Sequence, residues 1–86
     1  MIKVFFKPTF VRQMNKLEKS LALEVFEKME LFKNEKHHTM LKVHKLHGKL
    51  SGFYSFSVNY RFRIVFKYEA KNQVVFLDIG DHDMYK

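Results

Sequence analysis

Hydrophobic and polar positions change rhythm near residue 36 of this chain. Ile2 to Phe6 is an apolar, β-prone run and predicts an opening strand. Pro8 and Thr9 end it, and the Thr9 hydroxyl is suited to cap a helix. Phe10, Met14 and Leu17 then recur at helical spacing and define one face. Ser20 is read as the cap of a second helix. There Leu21, Val25, Met29 and Phe32 share a face, and Glu24, Glu27, Lys28 and Glu30 point out. Glu24 and Lys28 are spaced for an i,i+4 ion pair. The Met and Phe stripe reads as core rather than as a cofactor box.

Beyond residue 36 the period becomes two. Tyr54, Phe56 and Val58 alternate with Ser55 and Ser57. Phe62, Ile64, Phe66 and Tyr68 alternate with Arg61, Arg63, Val65 and Lys67. Asn59-Tyr60 and Lys71-Asn72 are the expected turns, and Gln73 to Ile79 is the last strand. Consecutive strands joined by short turns predict an antiparallel meander. The expected fold is therefore α+β: an N-terminal strand, a two-helix hairpin, then an antiparallel β-meander with the helices packed on one face of the sheet. Residues 1–86 are expected to form a single domain. The other sheet face, bearing Ser55, Ser57, Arg61 and Arg63, is expected to be open. The segment after Gly80 is expected at its edge, which would bring His82 and Tyr85 near Arg63.

Charge sharpens this picture. The formal net charge is +7, and from Lys36 to Tyr68 there is no Asp or Glu. That stretch carries Lys42, Lys45, Lys49, Arg61 and Arg63 together with His44 and His47. A basic run interleaved with strand-forming aromatics suits a polyanion, RNA foremost. A solvated basic loop is the competing reading for Lys42–Lys49. There is no Cys, which excludes a disulfide framework and a thiolate metal site. No segment approaches the roughly 18 apolar residues of a membrane span, and the N-terminus does not read as a signal peptide. A cytoplasmic protein without membrane attachment is expected.

Candidate chemistry lies at the end of this basic region. Arg61 and Arg63 are two apart on a strand and project in parallel, and guanidinium forks suit phosphate oxygens and a pentacovalent phosphorane. For Arg61 the alternative is a cross-strand ion pair with Asp78 or Glu69. His82 lies between Asp81 and Asp83, a setting that favours the imidazolium and suits a general acid. Its alternative is an ordinary surface turn. Tyr85 either stacks on a base or anchors the C-terminus. His44-x-x-His47 lacks a nearby carboxylate and the one-face geometry of a helix, so it is read as part of the phosphate-contacting patch and no metal is expected.

Three motifs, in this order and spacing, resemble the RelE/ParE superfamily of toxins from type II toxin–antitoxin pairs. They are Leu46, Gly48, Gly52, Phe53 and Tyr54; the strand Tyr60-Arg-Phe-Arg-Ile-Val-Phe66; and the ending Ile79-Gly-Asp-His-Asp-Met-Tyr85. The ending with His82 looks most like the YafQ-type, mRNA-cutting branch. The resemblance implies a ribosome-dependent mRNA endoribonuclease that cuts by 2′-OH attack without metal or cofactor. Arg63 then matches the arginine that stabilises the phosphorane, Tyr85 the tyrosine that positions substrate, and His82 an acid or base. Lys42, His44, Lys45, His47, Lys49 and Arg61 would contact RNA. Some RNase members carry two lysines where this chain has Ser55 and Ser57. The resemblance also implies mRNA and the ribosome as partners, a cognate antitoxin that covers the basic face, and a toxin–antitoxin complex that binds operator DNA. Its ParE branch acts on DNA gyrase instead, and a catalytically weak, antitoxin-binding relative is the third reading.

Overall fold

The computed structural model describes residues 1–81. Strand β1 (Lys3–Phe6) leads into helix α1 (Pro8–Asn15) and helix α2 (Lys19–Phe32). A short strand β2 (His44–Lys45) follows, then β3 (Tyr54–Ser57), β4 (Phe62–Ala70) and β5 (Gln73–Asp81). The five strands form one sheet in the order β1-β5-β4-β3-β2. The short β2 adds an antiparallel strand that the alternation does not predict, and β3 to β5 is the expected antiparallel meander. β1 adds to it in parallel, with Phe6 beside Phe76, because the helical hairpin carries the chain across one face before it returns. The α+β expectation therefore holds, with a mixed rather than a wholly antiparallel sheet.

The helix boundaries follow backbone chemistry that differs from the expected caps. Pro8, not Thr9, opens α1, because its fixed φ and missing N–H suit the first helical position. Glu18 caps α2 by accepting from the Ser20 backbone N–H, so Ser20 lies inside the helix. Glu24 does not pair with Lys28. It accepts from the Asn59 side-chain amide at 2.7 Å, while Lys28 lies 3.8 Å from Glu27.

Between helices and sheet lies an aromatic core. Phe32, at the end of α2, stacks on Phe56 at 4.7 Å and meets Phe66 and Phe76 edge-on at 4.9 and 5.4 Å. His38 stacks on the other side of Phe32 at 4.6 Å, and its Nε2–H donates to the Phe32 carbonyl at 2.7 Å. One histidine thus closes the core and satisfies a carbonyl left open at the helix end. Ile2, Phe10, Val25, Met29, Leu41, Val58, Ile64, Val74 and Ile79 are buried in the same cluster.

The second sheet face is not as open as the alternation predicts. Ser55, Val65 and Val75 are buried on it, and Leu46 is buried too, yet none joins the main core. Leu50 and Phe53 are also partly withdrawn from solvent. The β2–β3 connection, closed by the Leu46 N–H donating to the Phe53 carbonyl at 2.9 Å, contributes a small second apolar layer. Gly48 and Gly52 allow that connection to turn, with φ of 69° and 95°.

Candidate active site

Arg63 is held at the start of β4, opposite Ser57 on β3 and Gly80 on β5. Directly opposed residues in an antiparallel pair share a face, so these three form one row across the sheet. Gly80 contributes no side chain to cover the arginine. The Arg63 side chain is half-buried, and its Nε is buried without a hydrogen-bond partner among the described residues. No described carboxylate pairs with it. A guanidinium held this way is an unspent donor array, costly to leave unmet and suited to an incoming anion.

Arg61 is different. Its Nε lies 3.2 Å from Asp81 Oδ2, and its guanidinium stacks over Phe62 at 5.2 Å. The cross-strand ion pair thus forms, but with Asp81 in place of Asp78 or Glu69. Asp78 instead accepts from the Gln13 side-chain amide, whose oxygen takes the Ile79 N–H at 2.9 Å. This is where β1 has ended, so Gln13 continues the edge of β5 in its place.

The basic patch divides. His44 pairs with Ser55 and therefore points to the face of Arg63. Its Nδ1–H donates to the Lys42 carbonyl at 2.7 Å, which leaves Nε2 as the acceptor of the neutral ring. Lys45 lies opposite Tyr54 and points to the other face. Lys42, His47 and Lys49 are all exposed. Ser55 is fully buried, because the second apolar layer closes over the middle of the sheet, so it is no part of an open surface. His82 and Tyr85 lie outside the described residues. Among the described residues, no group of three or more His, Asp or Glu is placed to hold a metal.

Over residues 5–82 the sequence matches the HigB-like toxins, described as the RelE-like toxin of the type II toxin–antitoxin system HigB. The chain belongs to the RelE-like toxins. Search of curated proteins gives no match. Among solved structures the toxin is similar to a conserved hypothetical protein of Helicobacter pylori (23% identity, TM-score 0.71, covering 96% of this chain and 97% of that one). It is also similar to the YoeB–YefM toxin–antitoxin complex of Staphylococcus aureus (20%, 0.71, 95% and 98%). A third is the archaeal RelE–RelB complex of Pyrococcus horikoshii (18%, 0.72, 93% and 93%). At these identities the likeness shows a shared fold.

One site-shaping residue of the toxin carries no sequence signal of its own. Gln13 reads as an ordinary helix-face amide until β5 lies beside it. Asn59 does have a signal, because short amides make turns. Its Oδ1 accepts the backbone N–H of both Arg61 and Phe62 at 2.8 Å, and its amide reaches Glu24. That one side chain fixes the turn leading into the arginine strand.

Proposed function

We propose that this toxin is a ribosome-dependent mRNA endoribonuclease. It cuts by attack of an RNA 2′-OH on the adjacent phosphate, without metal, and so stops translation. The observation that carries this reading is the half-buried Arg63, whose Nε is without a partner among the described residues. Its face of the sheet belongs to a chain of net charge +7. As the attack proceeds, negative charge grows on the phosphate oxygens, and a preorganised guanidinium stabilises the phosphorane more than the ground state. The 2′-oxygen loses its proton to a base, and the 5′-oxygen leaves with a proton from an acid. His44, with Nδ1–H engaged and Nε2 free to accept, suits the base on geometry. The resemblance assigns His82 to acid or base chemistry and Tyr85 to substrate positioning. Lys42, His47, Lys49 and Arg61 would hold the flanking RNA.

The similar YoeB–YefM and RelE–RelB structures are complexes with antitoxins, and we propose a cognate antitoxin for this toxin too. An acidic, partly disordered segment suits its basic surface. The setting would be the cytoplasm. A second reading, gyrase inhibition or a catalytically weak toxin, has one observation in its favour. Ser55 stands where some RNase members carry a lysine, and it is neutral and buried.

The test is to map mRNA 5′ ends after brief expression of the toxin alone, with Arg63→Ala alongside. New cuts inside translated codons are expected, falling at least ~100-fold in the variant. Equal cutting by Arg63→Ala would remove the arginine from the site. Growth arrest over intact messages would move the function to gyrase.

A further inference from the structure

One cavity reaches Ser57, the cross-strand neighbour of Arg63, and of its walls only Lys42 has a role in the reading so far. It encloses about 250 Å³ between α2, the turn before β2 and the end of β3, with Lys28, Met40, Lys42, Ser57 and Tyr60 on its walls. Ser57 is the direct cross-strand partner of Arg63, so the cavity begins one strand spacing from the candidate site. Its walls are unlike an idle surface. Lys28 is a lysine with only 24% of its side chain exposed, and its nearest carboxylate, Glu27, is 3.8 Å away. Its stem is withdrawn while its ammonium keeps, among the described residues, only that long, solvent-exposed ion pair with Glu27. Lys42 holds a left-handed backbone, φ 59°, which an L side chain adopts at a cost and which clusters at ligand-handling segments. The preceding Leu41 is pinned, its carbonyl accepting the Ser57 N–H at 2.8 Å. No ion pair of Lys42 occurs among the described residues. Tyr60 and Met40 are 94% and 59% exposed, a ring and a thioether offered to solvent at the mouth of a cationic cavity.

We propose that this cavity is a nucleotide subsite for single-stranded RNA. It takes the nucleotide next to the one whose phosphate Arg63 binds. The ammonium groups of Lys28 and Lys42 hold its phosphate, and the base stacks on Tyr60 over Met40. Two point charges and an open aromatic face are what sequence-tolerant single-strand binding requires. This inference rests on the RNase reading and extends it to residues of α2 and the β3–β4 turn.

The experiment is an NMR titration of the isotopically labelled toxin with a short single-stranded RNA, over a series of salt concentrations. Amide shifts at Lys28, Lys42 and Tyr60 are expected to saturate together with those around Arg63. Lys28→Met keeps the buried stem, and Lys42→Gly keeps the positive φ. Their combination should weaken RNA binding about tenfold and lower the slope of log affinity against log salt by roughly 1. Tyr60→Ala, at an exposed position, should weaken binding about tenfold with the slope unchanged. Shifts around Arg63 with none at the cavity would overturn the subsite and leave the RNase reading standing. No shift anywhere would overturn the subsite, while the ribosome-dependent RNase reading is decided separately by the mapping of mRNA 5′ ends. Cavity shifts with a poly-glutamate chain but not with RNA would overturn the nucleotide and point to an acidic protein partner.

Discussion

The row Phe56, Ile64 and Ile79 crosses the sheet on one face, and the row Ser57, Arg63 and Gly80 crosses it one residue along, on the other. The first row is buried among the rings of Phe32, Phe66 and Phe76. Every group in it is apolar, and dispersion and water exclusion hold it. The second row carries a half-buried cation with its Nε unmatched among the described residues, flanked by a serine and a glycine, both small. The same three strands therefore hold the core on one side and carry an unmatched cation on the other, and the period of two keeps the two apart. Arg63 is precise because its strand is fixed from behind, and it is available because nothing described in front of it answers its charge.

That division is broken most sharply from the core side. Phe32 meets three phenylalanines and a histidine, so Phe32→Ala removes a hub and leaves a cavity behind β3 and β4. The expected loss is about 3–5 kcal/mol, a large share of the stability of a domain this size. Thermal unfolding followed by circular dichroism should show Tm lower by more than ~12 °C. Arg63→Ala in the same assay should leave Tm nearly unchanged while cutting disappears. A matching fall in Tm would mean that the arginine holds the sheet and does not wait for a ligand.

The middle of the second face gives a smaller and subtler test. Ser55 is fully buried, and its Oγ has no hydrogen-bond partner among the described residues. Removing that hydroxyl removes an unmet polar group, so Ser55→Ala should not destabilise, and a gain of up to ~1 kcal/mol is expected. The urea midpoint reads this directly. A loss above ~1 kcal/mol would mean that the hydroxyl has a partner after all.

Ser55 also marks where the chain stops being legible. The alternation from Tyr54 to Tyr68 places the strands, their turns and the core row correctly, because burial on one face enforces register. It assigns Ser55 to an open face, because a period of two says which side a residue faces and nothing about what later lies over that side. Beside it Leu46, Leu50 and Phe53 are themselves withdrawn from solvent, in a connection whose apolar residues have no regular spacing. The strand position and face of Arg63 are legible because it lies in the alternating run from Tyr60 to Phe66. Lys28 is not, because a lysine on the polar stripe of a helix looks solvated until the β3–β4 turn encloses it. The parallel pairing of β1 is hidden for a similar reason. An edge strand's partner is settled by where the helices return the chain, which no local pattern records.

The smallest expected effect lies at the rim of the core face. Tyr68 extends the row of Phe62, Ile64 and Phe66 and meets Tyr54 edge-on at 5.0 Å and Phe66 at 5.6 Å. Desolvation raises its pKa above the ordinary 10.0, and the nearby Tyr54 and Glu35 push the same way. The fold thus favours the neutral phenol. Its contribution is whole below the unfolded value and falls away as pH rises through the raised folded value, because ionisation then costs more in the native state than in the unfolded chain. Tyr68→Phe keeps the ring and removes the proton. The urea midpoint of the parent should fall from neutral pH to above the ordinary tyrosine range, and the variant's should fall less. Equal falls would mean that the phenol of Tyr68, and with it the aromatic rim, does not govern the alkaline loss.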